Sequence, residues 1–215
     1  NNAFAKGLGL APSRLAAMYT YAGLTEPLPD DFISTLGSDS SWGLLPTHRL
    51  GCTLRRTRDN RLLIRTHYGY EREDENEQVA ELLLSSLKQR FPTLDVNGFA
   101  SVWGGATGFT MNGAPVWGEL RDALFVSAGC NGGGVVKGTL FGHLLADLAL
   151  GRDVPDVSAL FGKASWMPPE PIRRMGFEIV SRRAQPVNAQ LIHVWFGPNP
   201  GQDLNLGSFD ILRPV

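Results

Sequence analysis

The fold of this chain is predicted most directly by residues 124–150, LFVSAGCNGGGVVKGTLFGHLLADLAL. A short strand-like segment is followed by three consecutive glycines and then by a helical pattern over residues 135–150. Gly151 is well placed to end this helix in a left-handed conformation. The predicted apolar side of the helix carries Leu140, Leu144, Leu145 and Leu148. The segment therefore predicts a strand, a glycine turn and a helix in direct succession.

The glycine turn, residues 129–134, is a candidate site for negative charge. Glycine has no Cβ, so the backbone N–H groups at the start of the helix stay accessible, and the helix dipole adds positive potential there. A phosphate, a carboxylate or a carbonyl that becomes anionic during a reaction would fit. The turn does not match G-x-G-x-x-G, and Lys137 precedes Gly138, whereas a P-loop lysine follows its second glycine. A tight strand-to-helix connection with close backbone packing explains the glycines equally well.

Composition excludes several classes of protein. The 215 residues carry 20 Lys plus Arg and 21 Asp plus Glu, and 43% are hydrophobic, which is typical of a globular chain. The net charge of −1 gives no reason to expect nucleic acid or an anionic membrane as a partner. No apolar run reaches the roughly 18 residues of a membrane span. The only cysteines, Cys52 and Cys130, cannot form a disulfide framework, so a cytoplasmic location is expected.

Two further segments have clear local patterns. A buried strand is predicted within residues 13–27, followed by a loop around Pro29. A β-hairpin is predicted for residues 50–57 and 61–68, because the dipeptide Asp59-Asn60 between them tolerates positive φ.

A helix is predicted over residues 71–91, with acidic residues at its start, where the helix dipole favours them. Its apolar set is Val79, Leu82, Leu83, Leu87 and Phe91. Short strands are expected within residues 99–128 and a short helix around residues 172–181, whereas residues 186–215 show no sustained period. Because the chain opens on Asn1 with a turn-like segment, we also expect it to be part of a longer protein.

Other candidate residues each have a structural alternative. Arginines on the hairpin could meet an anionic substrate or form a solvated strand face. Asn112-Gly113 is interpreted as a hairpin turn, and Trp103 and Trp117 as core residues. No metal site is expected, because the four histidines are scattered, and His143 on the apolar helix is predicted to be buried. No nucleophile motif supports acyl transfer. The hairpin arginines are Arg55, Arg56, Arg58, Arg61 and Arg65, and the other histidines are His48, His67 and His193.

Taken in order, several motifs resemble the C-terminal part of FAD-dependent amine and amino-acid oxidoreductases of the D-amino-acid oxidase type. The likeness is nearest to the subgroup with gamma-glutamylputrescine oxidoreductase and covers roughly residues 2–180. The matching segments are Asn2-Ala3-Phe4, residues 21–28 (YAGLTEPL), residues 55–64 (RRTRDNRLLI), the tryptophan-glycine block around Trp103, the glycine turn with its helix, and residues 168–176 (PPEPIRRMG).

The resemblance implies an α/β (α+β) fold: a mixed, largely antiparallel sheet with flanking helices, plus the last strand and helix of a dinucleotide-binding fold. It implies a substrate domain at residues 1–122, a flavin-binding strand and helix at 123–155, and a partly unassigned tail at 156–215. FAD is the implied cofactor, and the glycine turn would lie against its pyrimidine edge. The implied flavin contacts are Cys130, Asn131, Gly132, Gly133, Gly134, Val135 and Val136.

The chain departs from glycine oxidase-like members at two positions where they have arginines near the substrate carboxylate. Thr107 and Gly132 stand there, so no bidentate carboxylate clamp can form. This favours an amine or a bulkier amino compound as substrate, unless Arg55 or a neighbour substitutes. Trp103 is a candidate wall of the substrate pocket. No catalytic base is assigned, because a neutral amine can deliver a hydride to flavin once it is oriented.

Two hypotheses follow. The first is that the chain is the C-terminal part of a FAD-dependent oxidoreductase that oxidises a C–N bond of a small amine or amino compound. The second is a non-catalytic binding or interaction module, or an inert fragment, because this sequence lacks the G-x-G-x-x-G fingerprint that holds the ADP moiety.

Overall fold

The structure, a computed structural model, describes residues 2–46, 50–187 and 191–192. The strands are Ala16–Leu24 (β1), Trp42–Pro46 (β2), Thr53–Arg56 (β3), Leu62–Tyr70 (β4), Ser101–Phe109 (β5), Val116–Arg121 (β6), Leu124–Ala128 (β7) and Leu191–Ile192 (β8). The helices are Asp30–Ser34 (α1), Asn76–Arg90 (α2), Gly134–Ala149 (α3), Val157–Phe161 (α4) and Ile172–Val187 (α5), and Asn2–Ala5 forms a 3₁₀ helix. His48, His193 and most of residues 186–215 lie outside the described residues.

The described strands form two sheets. Six are ordered β5-β1-β4-β3-β2-β8, and β6 pairs with β7 in a second sheet. The pairs β2–β3, β3–β4, β2–β8 and β6–β7 are antiparallel. This is the mixed, largely antiparallel fold with flanking helices that the resemblance implies. None of the described helices combines the length and the apolar character needed to cross a membrane.

The described residues are grouped in two compact units. The turn unit contains residues 2–20, 68–75 and 104–180. The hairpin unit contains residues 21–67 and 76–103 together with the described residues after 180. The predicted domain boundaries at 122/123 and 155/156 stay a prediction.

In the hairpin unit, the predicted β-hairpin is confirmed. Leu54 pairs with Ile64, and Asn60 has the positive φ of 59° that the tight turn requires. One face of the hairpin is buried, and the Arg56 side chain belongs to this face. Its Nη1 donates to the Gly37 carbonyl at 3.0 Å. The prediction of a solvated strand face is therefore wrong for Arg56. Arg55 and Arg58 are exposed, as that prediction requires.

The predicted helix over residues 71–91 is confirmed as α2 but begins at Asn76. Glu71 has a φ of 54°, which lies outside the range of a right-handed helix. Because the helix begins only at Asn76, most of the acidic cluster precedes it. The predicted apolar face is buried at Val79, Leu83, Leu87 and Phe91, while Leu82 is exposed.

In the turn unit, β6 and β7 pair from Val116↔Ala128 to Arg121↔Leu124. The core of this unit packs Leu15, Val116 and Val126 with small alanines. The interpretation of Asn112-Gly113 as a hairpin turn is wrong, because β5 and β6 belong to different sheets and the turn connects them. The physical reason is that a local turn signal does not determine whether the flanking strands pair. The Asn112 side chain binds another segment: it donates to the Lys163 carbonyl and accepts from the Ser165 N–H.

Helix α3 follows the glycine turn as predicted, and Gly151 with a φ of 69° comes after it. Its buried residue is Phe141, however, and His143 is exposed, so the prediction of a buried histidine is wrong. Apolar content alone does not identify which side of a helix is covered, because most of this helix is apolar all around.

Replacing Gly176 with alanine is expected to increase the free energy of unfolding by about 0.5–1 kcal/mol. Gly176 lies inside α5 with an unstrained φ, and a Cβ there would have no heavy atom within 4 Å. Urea denaturation of the variant and the wild type gives the difference. Gly151→Ala is the matched control, since it has equal space but a left-handed φ, and it should lower stability. A stability loss in Gly176→Ala would contradict the prediction.

Candidate functional site

The candidate site is the turn between β7 and α3. Three of its residues, Gly129, Asn131 and Gly132, have positive φ values of 77°, 52° and 89°. Glycine adopts this conformation without strain, and asparagine tolerates it better than other side chains. The chain thereby reverses within a few residues, and Gly133 precedes the first residue of α3.

The backbone N–H groups of the turn fall into two sets. Gly129 and Cys130 donate to Oδ1 of Asn2 at 3.1 and 3.2 Å. Asn131 donates to the Gly108 carbonyl, and Gly133 to the Cys130 carbonyl, each at 3.0 Å. These four N–H groups are therefore satisfied within the protein.

The second set lies at the start of α3. The first helical hydrogen bond runs from the Lys137 N–H to the Gly133 carbonyl at 3.0 Å. Within the described residues, the N–H groups of Gly134, Val135 and Val136 have no acceptor. Unsatisfied N–H groups at the positive end of a 16-residue helix favour a negatively charged group.

A cavity of about 350 Å³ is lined by the first of these residues, Gly134. Phe125 and Phe141 contribute apolar walls, while Cys130, Gly134 and Lys137 also line it. The Lys137 ammonium adds a full positive charge to the partial charge of the helix end. The cavity thus combines an apolar wall with a positive rim, which suits a largely apolar ligand that carries some negative charge.

The space around each glycine separates the two explanations of the glycine turn. A Cβ at Gly129 would lie 2.6 Å from Cγ2 of Thr110, so close packing requires glycine there. A Cβ at Gly134 would lie 3.6 Å from the Cys130 Sγ, and one at Gly133 would lie 3.6 Å from the Cys130 carbonyl oxygen. Both are ordinary contacts, so packing does not explain Gly133 and Gly134. Their missing side chains leave space beside the unsatisfied N–H groups.

The candidate flavin contacts at residues 130–136 all lie together in the turn unit. Arg55 and Trp103 belong to the hairpin unit. Arg55 is exposed and faces Gly43 and Leu63 across the neighbouring strands. The prediction of a core role is wrong for Trp103, which is 43% exposed, because it lies on β5 at the edge of its sheet.

Sequence reasoning missed two residues of this site. Asn2 lines the cavity and binds the turn, and Lys137 lines the cavity one helical turn after Gly133. Helical spacing could have indicated Lys137, since residues four apart share a helix face. No local signal indicates that Asn2 reaches a turn 127 residues away.

The shifted pKa values lie outside the turn. Burial raises the pKa of the Cys52 thiol to about 11, which makes it a poor nucleophile. Tyr70 donates to Glu170 at 2.5 Å; partial burial and this bond raise the pKa of Tyr70, and the same bond lowers the pKa of Glu170. Among the described residues, no group of three His, Cys, Asp or Glu side chains could hold a metal ion.

Two solved structures with a similar fold are named as oxidases. Glycine oxidase from Geobacillus kaustophilus matches at 21% identity and a TM-score of 0.52, over 77% of this chain and 42% of that chain. Iminodiacetate oxidase from Chelativorans sp. BNC1 matches at 20% identity and a TM-score of 0.51, over 79% of this chain and 45% of that chain. This chain therefore spans less than half the length of either. A search of curated proteins found no match.

A family model described as "FAD dependent oxidoreductase" (DAO) matches residues 1–148. The chain belongs to this family, which confirms the resemblance identified from the sequence motifs. The match includes the whole glycine turn and nearly all of α3.

Proposed function

We propose that this chain provides the flavin-facing turn of a FAD-dependent oxidoreductase that oxidises a C–N bond of a small amine or amino compound. The observation that carries the proposal is the set of three unsatisfied N–H groups at Gly134, Val135 and Val136, the first of which lines a cavity together with Lys137. The family description supports FAD as the cofactor, and both structural neighbours are named as oxidases of amino compounds.

The residues of the turn fit the electronic demand of this cofactor. When bound, FAD would supply a hydride acceptor for the carbon next to the substrate nitrogen, which would leave an imine for water to hydrolyse, and the reduced ring system would carry negative charge at one edge. The N–H groups of Gly134, Val135 and Val136 would stabilise this charge, while Cys130, Asn131, Gly132 and Gly133 would shape the turn against the ring.

Substrate binding is assigned to the hairpin unit. Arg55, exposed on β3, would attract an anionic substrate group, and Trp103 would provide an apolar wall. Because Thr107 and Gly132 cannot form a carboxylate clamp, we propose an amine or a bulkier amino compound over a simple α-amino acid. Besides facing the flavin, the chain would bind and orient the substrate, and no proton-transfer residue is assigned to it.

The catalytic protein is proposed to be longer than this chain and cytoplasmic. Val135 and Val136 are 86% and 75% exposed at the start of α3, and a dinucleotide-binding half that covers them would remove this apolar surface from water. The alternative is a non-catalytic module, and its support is the absence of a G-x-G-x-x-G fingerprint from this sequence.

Cofactor binding by the longest open reading frame that contains this chain tests the proposal. We expect the purified protein to hold FAD and to be bleached by a small amine in the absence of oxygen. The isolated chain, titrated with FAD, should bind it weakly, because the chain lacks the fingerprint turn that would hold the ADP moiety. A full-length protein that stays colourless and takes up no added FAD would refute the oxidoreductase and favour the non-catalytic module.

A further inference from the structure

Two asparagine side chains hold the glycine turn: Asn2, near the start of the turn unit's sequence, and Asn131, within the turn itself. Oδ1 of Asn2 accepts the N–H groups of Gly129 and Cys130, and its Nδ2 donates to the Cys130 Sγ at 3.1 Å. A Cβ at Gly108 would lie only 2.6 Å from Asn2 Oδ1. The Asn2 amide therefore packs against β5 at Gly108, where a side chain would collide with it.

The Asn131 side chain binds the other side of the turn. Its Oδ1 accepts the Thr110 N–H at 2.9 Å, and its Nδ2 donates to the carbonyls of Gly129 at 2.7 Å and Gly113 at 3.1 Å. An asparagine amide has two N–H hydrogens, so both are used by main-chain carbonyls. The Asn131 side chain therefore has no hydrogen left for a cofactor.

These bonds determine which donors of the turn remain available. Oδ1 of Asn2 accepts two N–H groups that would otherwise compete for an anion. The side-chain bonds of Asn131 hold its own backbone, which has a left-handed conformation, between two segments of the chain. Among the described residues, the N–H groups of the turn that are left without acceptors are that of Gly132 and the three at the start of α3. Donors held rigidly before binding stabilise charge better than donors that must first be ordered.

We propose that Asn2 and Asn131 are positioning residues, which preorganise the turn so that the N–H groups of Gly134, Val135 and Val136 meet the flavin. This inference rests on the proposed function. In this inference Asn131 acts on the flavin indirectly, by holding the turn, and not by a direct contact of its side chain with the flavin.

The test uses the full-length protein and the variant Asn131→Gly, which keeps the left-handed conformation and removes the amide. Loss of these hydrogen bonds should weaken FAD binding about tenfold. The reduction potential of the bound flavin, measured at FAD saturation, should fall, because the reduced, negatively charged form loses stabilisation. Asn112→Ala is the matched control: it also removes two side-chain bonds to the main chain, but to Lys163 and Ser165, and FAD affinity should stay within about twofold.

A purely structural role would lower the unfolding temperature in both variants and leave the potential unchanged. An affinity within twofold of wild type and an unchanged potential in Asn131→Gly would overturn the inference, whereas a wild-type protein without FAD would overturn the proposed function itself. If Asn131→Gly does not fold, Asn2→Asp and Asn2→Ala replace it. Aspartate keeps the acceptor for both N–H groups, so it should retain clearly more FAD affinity than alanine, and equal affinities would contradict the inference.

Discussion

Replacement of Gly134 by tryptophan is expected to weaken FAD binding at least about 100-fold, which corresponds to about 2.7 kcal/mol. Gly134 is exposed at the first position of α3 and lines the cavity beside its own unsatisfied N–H group. A large side chain there would occupy the space that the proposed cofactor needs. Titration of apo full-length protein with FAD, followed by flavin fluorescence, measures the effect.

The fold should survive this substitution. The nearest atom to a Cβ at Gly134 is the Cys130 Sγ at 3.6 Å, an ordinary contact, so the unfolding curve should change little. Gly176→Trp is the matched control, because it places the same side chain on another exposed helical glycine with open space around it. If Gly134→Trp binds FAD as tightly as the control does, the glycine turn is not the flavin site.

Replacement of Gly129 by alanine is expected to lower the free energy of unfolding by about 2–4 kcal/mol. Two costs add at this residue. Its φ of 77° is unfavourable for a side chain, and the new Cβ would lie 2.6 Å from Cγ2 of Thr110. Equilibrium urea denaturation of both proteins measures the loss.

Two further variants separate these costs. Gly132→Ala has a φ of 89° but no heavy atom within 4 Å of its Cβ, so it should show the conformational cost of about 1–2 kcal/mol alone. Thr110→Ser removes the methyl group and keeps the hydroxyl that donates to the Ala114 carbonyl at 2.7 Å. Combined with Gly129→Ala, it should restore part of the lost stability, so that the two changes are not additive. Equal losses in Gly129→Ala and Gly132→Ala would show that the methyl contact is unimportant.

Patterns confined to a few neighbouring residues were predicted well. The hairpin around Asn60 and the strand, glycine turn and helix at residues 124–149 depend on local conformational preferences and on periodicity. Strand β2, which no pattern indicated, forms because β3 and β8 pair with it. The Asn112-Gly113 dipeptide was misinterpreted for a related reason: a local turn signal does not say whether the flanking strands pair with each other.

The sequence by itself determined that a glycine turn opens an apolar helix, and its ordered motifs identified the family. It left the glycines with two equal explanations. Only the tertiary structure assigned Gly129 to close packing against Thr110 and left Gly134 open beside unsatisfied donors. The physical reason is distance along the chain: φ preferences act within a residue or two, but the space around a Cβ and the partner of an N–H group depend on segments brought together by folding, such as Asn2 and Cys130.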